Sequence, residues 1–445
     1  MARILVAGAG HGGLSAALEL ARTGHSVAVL ERHPELNLGY DWADMFDPPI
    51  LAENGFSPPT ADILAPAYWN MLIGPSKRGS KRPPDYNRRE KNVDRRALLR
   101  LMIADCKEAG VEFRFNVNLL GPLVSGCRVM GLRTNCGDFL ADLVIDAAGA
   151  RSPIRENLAP EALVPRRHRP GQLLYVWRAN YNRESNEQPK DVFKTYLYHR
   201  NRKGISWVAV NEDHVDVLLG DFTHPLSENE IADALMDLRA DNPLLGKRLL
   251  RGGIPTVVSV RRPLGVMVTD GYAAVGDSAC MSEPLSGSGI NRAIEAGALL
   301  ANVIAGCGDD FSIEKLWAYQ YRYFMEPPPS EPQDSAPVEG RANIDVIKNF
   351  LLTFSPREID LLFTRNIISV GLVYQGKPME MKDSLKSLFR NLDHLPLLFK
   401  LVRTTVCGEE LKKITRAIPE TYNPDAVAAW AESYEGFERS IKHLS

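Results

Sequence analysis

Arg3-Ile-Leu-Val-Ala-Gly8-Ala-Gly10-His-Gly12-Gly13 opens the chain, an alanine-rich stretch follows, and Ser26-Val-Ala-Val-Leu-Glu31-Arg32 completes the unit. A short apolar run, a glycine turn, an amphipathic stretch at helical spacing and a second apolar run ending in an acid spell a βαβ unit. Gly8 permits the tight bend, Gly10 lets the backbone approach a pyrophosphate, and Gly13 lets helix and strand pack closely. An anion held there sits at a helix N-terminus, where backbone N–H groups and the helix dipole favour negative charge. Glu31, 18 residues after Gly13, ends the second strand, placed to accept hydrogen bonds from both hydroxyls of an adenosine ribose and to disfavour a 2′-phosphate. Strand, turn, helix and acid together predict an ADP-containing dinucleotide; a glycine turn alone would not.

With 445 residues, 44% of them hydrophobic, and a formal net charge of −2, the chain can bury a large core and is expected to divide into two or three domains. Its charge balance gives no reason to expect nucleic acid as a partner. Cys106, Cys127, Cys136, Cys280, Cys307 and Cys407 show neither CxxC nor Cys/His ligand spacing, so reduced thiols in a cytoplasmic protein are expected, and no metal site. Arg3 before a small apolar run imitates a signal peptide, but the glycines fall in dinucleotide register and an acid-tipped strand follows, so the segment is read as retained. No run of 18 or more apolar residues exists, and no spanning helix is predicted.

After Glu31 comes a loop-rich region, Pro34 to Asn92, and between Lys77 and Arg96 nine of twenty residues are Lys or Arg. That run is either a solvated loop or a docking surface for an acidic partner or a phosphate-bearing substrate. Asp94 precedes apolar residues at helical spacing and can cap that helix. Leu143-Val-Ile-Asp146-Ala147-Ala148-Gly149 reads as a buried strand entering a glycine turn. From 172 to 223 the periodicity is two in four runs, which predicts an antiparallel sheet forming a separate layer. Residues 227 to 241 read as helix, and strands are expected to resume from about Thr256. A hairpin at Gly271 and a strand ending in Gly276-Asp277 lead to a second glycine turn, Pro284-Leu-Ser-Gly287-Ser-Gly289-Ile290, and a small-residue helix to about Ala305. A proline linker from Glu326 to Gly340 separates a helical region over 341–445, where Ile344, Ile347, Phe350 and Leu351 have helical spacing and Ser355-Pro356 restarts a helix.

The blocks GxGxxG with Glu31, Asp146 to Arg155, and Gly276-Asp277 with the second glycine turn occur in the order seen in flavoproteins of the para-hydroxybenzoate-hydroxylase fold. Val275-Gly-Asp-Ser-Ala followed by Glu-Pro-Leu-Ser-Gly-Ser-Gly-Ile-Asn-Arg-Ala resembles the geranylgeranyl-reductase branch of that superfamily over roughly residues 1 to 325. The resemblance implies an α/β architecture: a Rossmann-like FAD-binding domain of three ββα layers (1–171 and 256–326), an antiparallel-sheet substrate domain (172–255) and a C-terminal helical domain (341–445). It implies FAD, held at the pyrophosphate by backbone groups of Gly10, Gly12 and Gly13 and at the ribose by Glu31, with Arg32 beside it. Arg95 would be the flavin-side arginine, Leu119 a backbone contact near the adenine, and Asp277 a partner of the ribityl chain. Pro284 and Gly287 would shape the second turn, and Gly289 and Ile290 would give backbone N–H groups to the flavin pyrimidine edge.

Three departures are visible. Ala148-Gly149 stands where hydroxylases of this fold carry Asp-Gly, which weakens direct NAD(P)H binding and leaves an acidic redox protein beside NAD(P)H as electron donor. Ile205-Ser-Trp207-Val-Ala-Val keeps only the tryptophan of the Tyr-x-Trp-x-Phe-Pro segment of prenyl reductases. Tyr40-Asp41-Trp42 stands where reductases often show a cysteine. The implied activity is FAD-dependent reduction of a carbon–carbon double bond in a hydrophobic substrate by hydride from flavin N5. An oxygen-inserting flavin monooxygenase and a flavin-bound lipid carrier or scaffold are the alternatives. Tyr40, Tyr198, His214 and Cys280 are candidate proton donors, and Trp42 and Trp207 candidate cavity walls. The C-terminal helices are expected either to cap the cavity and meet a membrane peripherally or to pack on the flavin domain.

Overall fold

The computed structural model describes residues 1–68, 71–81, 89–282, 289–326, 354–365, 367, 386 and 390–442. Pro284, Gly287, the linker after Glu326 and the 344–351 stripe lie outside the described residues.

A six-stranded sheet carries the dinucleotide turn. Its order is Val268–Thr269, Tyr272–Ala274, Leu143–Asp146, Arg3–Ala7, Ser26–Glu31, Glu112–Phe115, parallel except at the Val268–Thr269 edge. Ile4 to Ala7 and Leu143 to Asp146 are buried without alternation, as expected of parallel strands covered on both faces. Arg3–Ala7 lies between strands reached in opposite directions along the sheet, so the crevice at its C-terminal end is the switch point where ligands bind in such folds. The helices His11–Arg22, Ile290–Ala305 and Ile313–Met325 share one core with this sheet and with a three-stranded sheet spanning residues 119–140. Asp94 caps Arg95–Glu108, accepting from the Ala97 N–H at 2.9 Å.

The second sheet has seven strands: Leu245–Ser259, Leu173–Arg183, His214–Asp221, Ile205–Val210, Phe193–Leu197, Met71–Ile73 and Ser80–Lys81. It is antiparallel apart from the Met71–Ile73 pairing with Phe193–Leu197. Alternation along Leu173–Arg183 sorts its residues. Trp177, Ala179 and Tyr181 pack on the helix Glu228–Asp241 through Ala234, Leu235 and Leu238. Leu174, Val176, Arg178 and Asn180 border a cavity. Ser227 and Glu230 close a capping box that starts the helix.

The strand expected from about Thr256 begins instead at Leu245. Gly252 and Gly253 both take φ +77°, and the register shifts opposite Arg178 and Ala179. They bend the strand as a bulge and do not end it.

Ser355 caps Pro356–Thr364 with a capping box, as its sequence predicts. The helices Leu395–Arg416 and Pro424–Lys442 follow. Trp430 stacks on Tyr434 at 5.2 Å and meets Trp317 and Phe324 edge-on at 6.4 and 5.9 Å. Glu435 accepts two bonds from Arg261 at 2.7 and 2.8 Å and one from the Gly265 N–H at 2.8 Å. Burial pulls this carboxyl up, and the Arg261 and Arg262 charges more than offset it, so it lies below the usual range. The last helix thereby joins the core that the first strand begins.

Candidate functional site

One cavity of about 1880 Å³ runs from the glycine turn to the seven-stranded sheet. That is about twice the upper end of ordinary small-molecule sites, ~1000 Å³, and suits a dinucleotide with a second molecule beside it.

At one end Gly8, Gly10 and Gly12 border the space with Glu31, Arg32 and Leu119. Gly8 has φ +97° and a Cβ there would stand 2.6 Å from the Ala147 carbonyl oxygen. A Cβ on Gly12 would meet Val275 and the Ala293 carbonyl at 2.8 and 2.9 Å, and one on Gly13 would meet Ala147 and Val6 at 2.7 and 2.9 Å. Gly10 differs, since its nearest neighbour would be 3.5 Å away; its open side faces the cavity. No side chain caps the helix at Gly10, nor the second helix at Gly289, so first-turn N–H groups of both are left for a ligand. Glu31 is buried and accepts from the Ala9 and His33 N–H groups at 2.9 and 2.8 Å. Asp277 borders the cavity near Gly289 and Ile290 and accepts from the Ser282 hydroxyl at 2.5 Å. Two uncapped helix starts, an acid at the far end and one glycine opening on the gap form a cradle that fits FAD.

Between cradle and sheet lies an ionic knot. Arg178, buried, donates to Asp216 at 2.9 and 2.8 Å, to Asp44 at 2.8 Å and to the Ala43 carbonyl at 2.6 Å. Arg95 takes the other Asp44 oxygen at 2.9 Å, and the Trp207 indole N–H donates to Asp216 at 3.0 Å. Burial pulls the Asp44 carboxyl up, but the Arg95 and Arg178 guanidinium groups more than offset it, so it lies below its usual range. Burial together with the Arg95 charge pushes His11 down to about 3, partly opposed by Asp44. This imidazole is neutral at ordinary pH. Asp44, Arg178 and Asp216 were not anticipated from sequence, although alternation puts Arg178 on the same face as Leu174 and Val176, and a lone charge on an apolar face was a usable signal.

Trp42 and Trp207 both border the cavity, with the Arg178 guanidinium 5.3 and 5.1 Å from their ring centres. Tyr40 stacks on Trp42 at 4.5 Å, lies 4.9 Å from the Arg95 guanidinium and bonds Thr256 through its hydroxyl at 2.5 Å. Tyr198 and His214 border the cavity as well. Burial and Glu358 raise the Tyr198 phenol, and His214 bonds Asp213 at 2.5 Å. Cys280 is not brought to the cavity: it is fully buried, 3.7 Å from Arg155 and 3.6 Å from His168.

Of the 77–96 cations, Lys77 pairs with Asp237 at 3.0 Å, Arg89 with Asp47 at 3.0 Å, Arg95 with Asp44 at 2.9 Å and Arg96 with Asp41 at 3.6 Å.

Residues 3–44 match the model of the FAD-binding domain. The chain is similar to the digeranylgeranylglycerophospholipid reductase of Methanosphaerula palustris, 29% identical over 72% of this chain and 81% of that one. It is also similar to the reductase of that name from Sulfolobus acidocaldarius, 21% identical over 96% and 95%. Among solved structures, a geranylgeranyl bacteriochlorophyll reductase-like protein from Thermoplasma acidophilum superposes with TM-score 0.71 at 20% identity, over 91% of this chain and 99% of that one. FAD is the cofactor. The protein is an FAD-dependent oxidoreductase with a geranylgeranyl-reductase-like fold.

Proposed function

We propose that this protein reduces carbon–carbon double bonds in the prenyl chains of a lipid, working at a membrane surface. The carrying observation is the cavity beyond the cradle. Leu72, Val176, Phe193, Leu197 and Leu218 line it, and the charges of Arg178, Asp44 and Asp216 are spent on one another, so an extended apolar chain meets their paired forms. The names of the related reductases support the same substrate class.

When bound, FAD supplies the hydride. The residues of this chain hold and shield it: backbone N–H groups of Gly10, Gly12 and Gly13 at the pyrophosphate, Glu31 at the ribose, Asp277 at the ribityl chain, Arg95 on the flavin side, and Gly289 and Ile290 at the pyrimidine edge. The apolar wall excludes water from the reacting carbons. Tyr40 gives the proton from its hydroxyl and recovers one through Thr256. It is preferred to Tyr198, whose phenol is raised by burial and Glu358, and to Cys280, which lies off the cavity.

The function is tested by incubating the dithionite-reduced holoenzyme anaerobically with a geranylgeranyl lipid, expecting a mass gain of one H2 per double bond reduced; a gain of one oxygen atom when the reduced holoenzyme meets air would make the protein a monooxygenase instead. The donor in this reading is an acidic redox protein, drawn to the Lys- and Arg-rich run between Lys77 and Arg96. Its reduction of the flavin should be faster than that by NADPH and should slow in high salt. Rapid reduction by NADPH with no salt effect overturns the donor assignment.

Two substitutions test the residues. Asp277→Ala should weaken FAD binding by about ten- to a hundredfold, the loss of one charge-assisted bond worth about 1.5–3 kcal/mol; an unchanged Kd by flavin fluorescence removes Asp277 from this role. Tyr40→Phe should lower kcat about a hundredfold, the scale of general acid catalysis, with FAD affinity intact. A turnover within about twofold of the parent assigns the proton to another group.

A further inference from the structure

The helix Leu395–Arg416 is apolar on two sides. Leu397 and Leu398 are buried with Leu72, Leu197 and Tyr198 in one cluster, and those three also line the cavity. On another side Leu395, Phe399, Val402 and Val406 are 48%, 73%, 62% and 60% exposed, and Leu392 just ahead of the helix is 52% exposed. At 100° per residue these five positions fall within an arc of about 80°, and Leu395 to Val406 runs about 16 Å along the axis. A helix apolar on two sides has two apolar phases to meet; the cavity wall is one.

The charge around the stripe says what the other is. From Lys386 to Arg416 the sequence carries seven Lys or Arg against three Asp or Glu, in a chain of net charge −2. Arg390, Arg403 and Lys413 are exposed. Lys400 and Lys412 are paired, with Glu358 at 2.7 Å and Glu409 at 2.8 Å, so the charge offered to a surface is that of the exposed cations. An apolar stripe flanked by exposed cations is the signature of a helix lying in the interface of an anionic bilayer. Beyond Val406 the stripe gives way to exposed Glu409 and Glu410, which limits the apolar contact to about four turns.

We infer that the Leu392–Val406 stripe docks the protein on an anionic lipid surface, with the substrate cavity directly behind the helix that docks. The inference rests on the lipid-reductase reading for its purpose, but not for its test. A bilayer-resident prenyl chain would then pass from the membrane to the cavity beside the Leu397 and Leu398 side of the same helix. Each Arg near an anionic surface contributes about fivefold in partitioning, and each buried apolar side chain a comparable or larger factor.

The test is sedimentation of the flavin-loaded full chain with vesicles of phosphatidylcholine containing phosphatidylglycerol. Binding is expected to fall on omission of phosphatidylglycerol or in high salt, and at least tenfold in both Phe399→Ser/Val402→Ser and Arg390→Glu/Arg403→Glu. Flavin occupancy and thermal midpoint report that these exposed substitutions leave the fold intact. Activity on detergent-dispersed lipid should be unchanged in both variants, while activity on vesicle-embedded lipid falls with binding. No sedimentation of the parent, sedimentation indifferent to Phe399→Ser/Val402→Ser, or a dimer in solution that this pair dissociates overturns the docking surface. Vesicle binding without reduction of any prenyl lipid would overturn the activity and leave the surface standing.

Discussion

Gly10→Val is expected to give a folded protein that no longer holds FAD. The backbone at Gly10 has φ −76° and ψ 164°, which a β-branched residue adopts without strain. Its nearest obstacle to a Cβ is 3.5 Å away, so the fold accommodates the side chain. The isopropyl group then occupies the space through which the backbone would approach the pyrophosphate. FAD affinity should fall at least a hundredfold, about 2.8 kcal/mol, with a thermal midpoint for the FAD-free protein close to that of the FAD-free parent. Gly8→Ala is the contrast: at φ +97°, with its Cβ 2.6 Å from a carbonyl oxygen, it should damage the fold before it affects the ligand. Full flavin occupancy in Gly10→Val, measured by absorbance after desalting, would show that the pyrophosphate lies elsewhere.

Arg178→Met is expected to cost about 3–5 kcal/mol of stability, because it strands the buried Asp216 carboxylate without its cation and leaves Asp44 to Arg95 alone. Adding Asp216→Asn should restore part of that loss by removing one stranded charge. The pH dependence follows from Asp44. Its unfolded carboxyl titrates near 3.8 and its folded one lower, so the stability it contributes is complete above the unfolded value and is lost as pH falls through the folded one. In Arg178→Met one of the two lowering charges is gone, so the acid-sensitive range should move to higher pH. Urea denaturation between pH 3 and 7 measures both effects. A variant as stable as the parent at neutral pH would mean that water reaches these carboxylates.

Local signals carried much of the fold. The glycine turn, the cap at Asp94, the helical spacing of 227–241, the helix start at Ser355-Pro356 and the period-two runs from 172 to 223 each depend on neighbours a few residues apart, and each gives the element found. The ionic knot depends on distance in space: Arg178 reaches Asp44, 134 positions away in sequence, and no local pattern pairs them. The strand start at Leu245, ahead of the expected Thr256, is hidden for a related reason, since glycines such as Gly252-Gly253 mark a bend and a break alike and only the partner strand decides between them. No spacing distinguishes Cys280 among the four donor candidates. Its left-handed backbone, φ +59°, places the thiol in the core behind the turn. In sequence, helical spacing over 341–445 stands out at Ile344 to Leu351 and not at Leu392–Val406; which side of the latter helix faces solvent is set by the cluster around Leu72 and Tyr198.

The seat of Pro424–Lys442 in the same core as Arg3–Ala7 has a consequence for synthesis. The sheet and glycine turn leave the ribosome early, yet Arg261, Gly265, Trp317 and Phe324 wait for Glu435 and Trp430 before their surfaces close. At about 5–20 residues per second, the interval between the emergence of Met325 and that of the last helix is on the order of ten seconds. During that time the nascent flavin-binding half exposes an aromatic groove and an Arg261 whose Glu435 partner has yet to emerge, so its solubility in the cell depends on translation speed through the codons for residues 326–442 as well as on final stability.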